Sequence, residues 1–416
     1  MKYTIGYGKA KMDFNIDERN LLSILYPNRP EVNLTGEDEV KRALENPIGS
    51  ERLAGMDLSG KKIVIVTSDI TRPMPSAKVL PHVVNELLEA GADYSDITVV
   101  FALGSHRKHT EDEKRYLAGE EIYSKIRCID SDPNDTVRVG FSKRGTPFDI
   151  FRVVAEADFV ICLGNIEYHY FAGYSGGAKS IMPGVSTRAA IQANHSNMVL
   201  PGAVTGKLEG NPVREDLEEV AGFLRIDFIV NVVLDEHKNI IKAVAGHHIE
   251  AHREGCRFLD SIYKVKIGKK ADIVITTPGG YPKDINLYQA QKALDNAKHA
   301  VRDGGIIILA AACNEGLGEE TFQQWMTSAA SPKSIIDRIK ADFRLGGHKA
   351  AAISMILENA RIFLVSEMDP QLVKSIFLEP FSSLDDAVEE ALKALGKDSS
   401  IIFMPAGSST LPTIGV

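Results

Sequence analysis

Short, mostly apolar runs rich in β-branched residues recur through this chain, each closed by glycine or by a polar loop: KIVIVT at 62–67, ITVVFAL at 97–103 and DFVICL at 158–163. Runs this short and this apolar suit strands buried on both faces. Between the first two, PSAKVLPHVVNELLEAGA at 75–92 sets Val79, Val83, Leu87 and Leu88 at near-helical spacing and stops at Gly91, with Pro81 in its first turns. Strand, helix and strand in that order predict a parallel sheet.

A second alternating series begins at Ala271. It runs ADIVITTPGG, a helix over 287–301, GGIIILAAA, helices to about 359, RIFLVSE, a helix over 384–395 and SIIFMPAG. The expected architecture is therefore α/β, with two domains of mainly parallel sheet, 1–262 and 263–416. The stretch 258–270, with YKVKIGKK in its middle, is charged and turn-like and marks the boundary, and it is the expected hinge. No internal repeat or low-complexity segment interrupts either series.

Composition narrows the function classes. The 416 residues carry 48 Lys and Arg against 56 Asp and Glu, a formal charge of −8, which lacks the basic excess that phosphate backbones require. Nucleic acid is not an expected partner. Cys128, Cys162, Cys256 and Cys313 form no Cys-x-x-Cys pair, which fits a reducing compartment, and Cys162 and Cys313 lie in apolar runs that read as core. The first residues lack the apolar stretch of a signal peptide, and no run of about 18 uncharged apolar residues provides a membrane span. A cytoplasmic protein is expected.

Three first-domain strands run into unusually polar loops: SDITRP, GSHRKHT and GNIEYHYFAGYSGGAKS. Ligands of open parallel sheets bind outside the carboxyl ends of the strands, so Asp69, Arg72, His106, Arg107, His109, Glu167 and His169 are candidates to converge there. Each also has an ordinary use, as a helix cap, a surface ion pair or a satisfied loop histidine. GYSGGAKS at 173–180 suggests a nest of backbone amides for an anion, with Lys179 adding charge; a glycine-rich turn is the plain alternative. It is not a phosphate-binding P-loop, because Ala178 precedes the lysine where that pattern requires glycine.

His195 in QANHSN is open between metal ligand, helix-terminal polar residue and surface histidine. In HHIEAH, His248 and His252 share a helical face, but the surrounding charges favour a solvated helix over a metal site. In the second domain Tyr288 and Lys292 are four apart after TTPGGYPKD, so a phenol and an ammonium can meet a carboxylate; the plain reading is an amphipathic helix with Leu287, Ala290 and Leu294 inward.

Taken together, five segments resemble the nickel-dependent lactate racemase family over nearly the whole chain. The anchors are Asp69 and Arg72 in SDITRP, His106 in GSHR, HYFAGYSGGAK from His169 to Lys179, His195, and the Tyr-Gln-x-x-Lys run at 288–292. The resemblance implies a racemase or epimerase of a small 2-hydroxy acid, served by a nickel-pincer nucleotide, a pyridinium-3,5-bisthiocarboxylic acid mononucleotide carrying nickel. It gives the N-terminal domain the cofactor, the C-terminal domain the substrate carboxylate, and an active-site cleft between them.

Carried over by residue, Lys179 attaches or anchors the cofactor, with Asp69, Arg72, Ser175, Gly176 and Gly177 around it, and His195 is the nickel ligand. His106 and His169 are the two acid/base histidines, one for each enantiomer. Tyr288, Gln289, Lys292 and Arg72 receive the substrate. The implied reaction removes the α-hydrogen as a hydride while a histidine takes the hydroxyl proton, and returns it to the opposite face of the 2-keto acid. Cofactor-maturation proteins are implied partners, and an oligomer is compatible with the sequence.

One departure bears on the substrate. Lactate-specific members carry a tryptophan near the substrate methyl, whereas the one tryptophan here is Trp325 and the corresponding segment reads RLGGHKAA, offering Arg344, His348 or Lys349 to a polar substituent. A dicarboxylic or sugar-derived acid therefore stands beside lactate. Two rival readings make different demands: a zinc hydrolase or lyase needs His106, His169 and His195 on one metal, and a carboxylate-binding protein needs no acid/base pair.

Overall fold

The computed structural model describes residues 1–415, and the chain divides into two compact units. One comprises Pro30–Asp260. The other joins Met1–Arg29 to the chain from Ser261 onward.

In the unit of Pro30–Asp260 a six-stranded sheet has the spatial order Ile240–Gly246, Phe228–Leu234, Phe159–Asn165, Ile63–Ser68, Ile97–Ala102 and Arg127–Asp130. All neighbours are parallel except the edge pair of Phe228–Leu234 with Ile240–Gly246. The three strands read from the sequence lie side by side in the middle, so their polar loops emerge along one sheet edge. Helix Ser76–Glu89 buries Val79, Val83 and Leu87 against that sheet's Ile63, Ile65 and Val99. Burial of a branched side chain is worth roughly 1.5–3 kcal/mol, which makes this face the main stabilising term of the crossover.

The other unit holds a second six-stranded sheet, entirely parallel: Glu379–Phe381, Ala360–Val365, Val301–Ala310, Ala271–Thr276, Ile401–Met404 and Leu21–Ile24. Helices Leu287–Ala297, Glu320–Ser328, Pro332–Ala341, Gly347–Leu357 and Leu384–Leu395 fall where the alternation placed them. The α/β class and parallel sheets agree with the sequence reading.

Two boundary details differ. The first 29 residues, assigned from the sequence to the N-terminal domain, belong to the second unit. Leu21–Ile24 pairs in parallel with Ile401–Met404, and the hairpin Lys2–Tyr7/Ala10–Asn15 sends Ile5 and Phe14 into a core with Ile273 and Phe403. The stretch at 258–270 is not a turn: helix Glu250–Tyr263 runs into strand Lys264–Ile267, which pairs with Leu411–Ile414. Cys162 and Cys313 are buried as expected, all four cysteines are free, and no helix among the described residues is long and apolar enough to cross a membrane.

Candidate active site

The loop after Ile63–Ser68 folds back on itself through Arg72 N–H to Asp69 carbonyl at 3.1 Å, which leaves the Asp69 side chain buried at the sheet edge. Its carboxylate accepts from the Thr71 hydroxyl at 2.9 Å and from His106 Nδ1–H at 2.8 Å. Burial pushes the Asp69 carboxyl up, but the hydrogen bond and charge of His106, with Thr71 and Arg72, outweigh it and hold it below its ordinary value. A carboxylate can only accept, so His106 carries its proton on Nδ1 and presents Nε2 as a base. The side chain of His106 is 26% exposed.

His109 and Arg107 play different parts from His106. His109 donates from Nδ1 to Asp130 at 2.6 Å and accepts Ile70 N–H on Nε2 at 3.1 Å, so both ring nitrogens are spent tying three strand ends together. Arg107 turns to the surface and forks onto Glu113.

The third loop forms a small hairpin, Tyr168–His169 with Gly173–Tyr174, followed by a tight turn at Gly177–Ser180. His169 Nδ1 accepts Ala172 N–H at 3.3 Å, its ring lies edge-on to Phe171 at 4.4 Å, and Phe171 in turn meets His195 at 5.0 Å. Burial first, then the positive charges of Lys179, His195, Arg72 and Arg214, hold His169 well below the ordinary imidazole value, so it rests unprotonated. Lys179 is lowered well below the ordinary amine range by burial, then by Arg72 and Arg214, against Glu167. It retains some exposed surface but is densely enclosed. Among the described residues its amine makes no hydrogen bond or ion pair.

His195 sits near the end of helix Arg188–Ser196 and is 8% exposed. Its Nδ1 is 3.0 Å from Asn194 Oδ1. Asn194 is fully buried and spends its amide protons on Val213 carbonyl at 3.0 Å and Asp216 at 2.7 Å, so its oxygen faces the imidazole. That fixes the proton on Nδ1 and directs the Nε2 lone pair away from Asn194, as an outer partner does for a metal-ligating histidine.

The residues holding this loop had no counterpart in the sequence reading. Arg214, fully buried, donates to the carbonyls of Ala172, Tyr174 and Gly176. Gly177 N–H donates to Asn231 Oδ1 at 2.8 Å, Ser175 hydroxyl to Asn165 carbonyl at 2.6 Å, and His252 Nε2–H to Ser175 carbonyl at 2.8 Å. The HHIEAH helix is thus corrected: His252 is 0% exposed and props up the glycine turn, because it shares the inward face with Cys256 and Leu259. The glycines are required here. A Cβ on Gly176 would stand 2.7 Å from Asn231 Oδ1, one on Gly177 would stand 3.0 Å from the His252 ring, and both residues have positive φ. The turn's Ser175 hydroxyl and Gly177 amide are spent inside the protein, whereas the Lys179 amine is uncommitted among the described residues.

In the other unit Asn286 caps helix Leu287–Ala297 by accepting Gln289 N–H at 3.0 Å. Leu287, Ala290 and Leu294 are buried, Gln289 and Lys292 are exposed, and Tyr288 is half-buried with its ring edge-on to Phe322 at 5.6 Å. Lys349 donates to Tyr288 carbonyl at 2.6 Å, Arg344 is paired with Asp342 at 2.6 Å, and Trp325 is buried between Gly347 and the Arg338 guanidinium.

No group of three His, Cys, Asp or Glu among the described residues converges to hold a metal ion. The three-histidine zinc cage of the hydrolase reading is therefore not formed. One oriented imidazole, and an amine without a hydrogen bond among the described residues on a turn beneath which the buried Asn231 Nδ2 lacks a partner, fit a metal that arrives with most of its ligands on an organic group.

Residues 7–206 match the family model described as lactate racemase N-terminal domain, and residues 266–411 match the lactate racemase C-terminal domain. The lactate racemase of Thermoanaerobacterium thermosaccharolyticum is 36% identical over 98% of both chains, and that of Lactiplantibacillus plantarum is 34% identical over 96% of this chain and 97% of its own. The solved lactate racemase apoprotein from T. thermosaccharolyticum superposes with a TM-score of 0.86 at 35% identity, covering 99% of this chain and 100% of that one. A Thermotoga maritima protein shares the fold, with a TM-score of 0.59 at 18% identity over 92% of this chain and 100% of its own. This chain belongs to the lactate racemase family of isomerases.

Proposed function

We propose that the protein inverts C2 of a small 2-hydroxy acid, lactate or a more polar relative, using a nickel-pincer nucleotide held by the unit of Pro30–Asp260. The observation that carries the reading is the pair of histidines on loops of one sheet edge: His106, held at Nδ1 by Asp69 with Nε2 turned outward, and His169, kept unprotonated by burial and surrounding positive charge.

His195 would supply the protein ligand to nickel and Lys179 the amine that joins or anchors the nucleotide, with Asp69, Arg72 and the Ser175–Gly176–Gly177 turn around them. When bound, such a group supplies an acceptor and donor for the α-hydrogen as hydride. The protein's own part is proton handling and placement. His106 takes the hydroxyl proton from one enantiomer, and Asp69 stabilises the imidazolium formed. His169 is the corresponding base for the other enantiomer, its unprotonated form favoured by burial and the nearby cations; to act as the acid in the opposite direction it must first take a proton from solvent, to which the proton gained by His106 is returned. Gln289, Lys292 and Tyr288 of the other unit would take the substrate carboxylate. Four free cysteines suit a reducing cytoplasm, where maturation proteins would load the chain.

The test uses His106→Ala and His169→Ala, prepared alongside the maturation proteins and incubated with single-enantiomer 2-hydroxy acids before chiral analysis. Each substitution is expected to abolish inversion while nickel and nucleotide stay bound. Inversion retained in both would remove the acid/base assignment.

A further inference from the structure

The ladder that carries His169 is only two residue pairs long, Tyr168 with Tyr174 and His169 with Gly173. A hairpin so short does not hold itself in water. His169 takes its hydrogen bond from Ala172 and its ring contacts from Tyr170 and Phe171, all in the same hairpin, so the imidazole goes where the hairpin goes. Arg214 grips carbonyls from Ala172 onward, on the returning side of the hairpin and the turn beyond it. The outgoing strand, on which His169 stands, is reached by a different group.

Opposed residues of an antiparallel pair stand on one face and their chain neighbours on the other. Tyr168 and Tyr174 therefore share a face, their rings 5.4 Å apart, and His169 stands on the opposite one. Both phenols donate to a single oxygen, Oδ1 of Asp260, Tyr168 at 2.9 Å and Tyr174 at 2.6 Å. Burial, then the nearby Asp260, pushes both phenols up, so each keeps the proton it shares. Asp260 lies on helix Glu250–Tyr263, where His252, Cys256 and Asp260 recur every four residues and share a face. The helix that props the glycine turn through His252 thus also bolts the back of the hairpin, one strand by each tyrosine.

We infer that Asp260 is a positioning residue for His169. This rests on the racemase reading above and deepens it. Bonded to both strands at once, the carboxylate fixes the tilt of the hairpin and with it the direction of the imidazole on the far face. It acts through His169 and not on the substrate.

Asp260→Ala removes the acceptor of both phenols, and Tyr168→Phe removes one donor. In the cofactor-loaded full chain, with the 2-hydroxy acid that the parent inverts, Asp260→Ala is expected to lower kcat about tenfold or more with KM within about twofold, because a misplaced base costs rate and the groups proposed for the substrate carboxylate lie in the other unit. Tyr168→Phe should show a smaller loss of the same kind. The double variant should be no slower than Asp260→Ala, since the Tyr168 hydroxyl then has nothing to hold. Asp260→Asn, which keeps an oxygen for the phenols, should recover part of the rate. In the chain without cofactor, hydrogen exchange read by mass spectrometry should quicken over 168–174 in Asp260→Ala and stay unchanged over 69–72. Losses that add in the double variant, a raised KM at unchanged kcat, or unchanged exchange over 168–174 would each overturn the inference. Should Asp260→Ala fail to fold, Tyr168→Phe and Asp260→Asn decide it by the same kcat split and the same exchange. A parent that inverts no acid would overturn the racemase reading and this role with it, whereas unchanged exchange in a parent that does invert one refutes this role alone.

Discussion

Acid should loosen the unit of Pro30–Asp260 through His252. Burial, with Arg214 beside it, pushes this imidazole down to about 3 despite its bond to Ser175, whereas in the unfolded chain it titrates near 6.5. Between those values the unfolded chain holds a proton that the folded one refuses, so stability falls as pH drops from 6.5 toward 3 and is fully present above 6.5. At pH 5 the deficit from this one group is about 2 kcal/mol, and at pH 7 only a few tenths. Full burial leaves no solvent screening to discount. Urea unfolding followed by circular dichroism at pH 7 and pH 5 measures it, with His252→Gln as the partner sample. Glutamine can still donate to Ser175 carbonyl but does not titrate. It forfeits the Nδ1 acceptor that Arg253 now uses at 2.9 Å, so the variant should be about 1–2 kcal/mol weaker at pH 7. It should then lose about 2 kcal/mol less than the parent on going to pH 5. Parallel losses in the two proteins would show that His252 charges in place and that the buried-prop reading is wrong.

Asp69→Asn keeps the shape of the loop but removes the charge that orients and stabilises His106; inversion should slow about a hundredfold or more with little change in melting temperature, and an unchanged rate would free His106 from Asp69. Gly173→Ala would set a Cβ 2.0 Å from the Lys207 carbonyl oxygen at a φ of +77°, so the His169 hairpin must shift, with roughly 2–4 kcal/mol of stability lost in the same urea assay. His195→Ala should leave the fold intact while elemental analysis of loaded protein finds nickel well below stoichiometry; full nickel would move the ligand role elsewhere.

How far the sequence discloses this molecule depends on whether a signal is local. KIVIVT, ITVVFAL and DFVICL lie on central strands because strands covered on both faces need apolar residues throughout, and the polar loops behind them carry Asp69, His106 and His169 to one edge. The same inference extends to the helix with Tyr288 and Lys292, whose inward Leu287, Ala290 and Leu294 follow its period. Leu21–Ile24 carries no comparable signal. Four residues reveal nothing of a partner some 380 positions away, so the strand and its flanking hairpin were assigned to the wrong unit. His252 was readable in principle: Ala251, Cys256 and Leu259 define the buried stripe that includes it, but the charges of Glu250, Arg253 and Glu254 dominate the local composition.

Arg214 shows where local reading ends. VREDLE has the composition of a solvated helix, yet its arginine is fully enclosed. The reason lies forty residues earlier. Gly173, Gly176 and Gly177 all take positive φ, and a chain turning that way cannot pair the carbonyls of 172–176 in a regular ladder. Buried carbonyls must find donors. A planar cation with five N–H groups can serve several at once, and Arg214 reaches Ala172, Tyr174 and Gly176. Its fixed charge also helps to push both Lys179 and His169 down, which makes the loop's fastener part of its electrostatics. The glycines therefore foretell that some buried donor must exist, while only the tertiary structure says that it is charged and that the charge acts on His169 and Lys179.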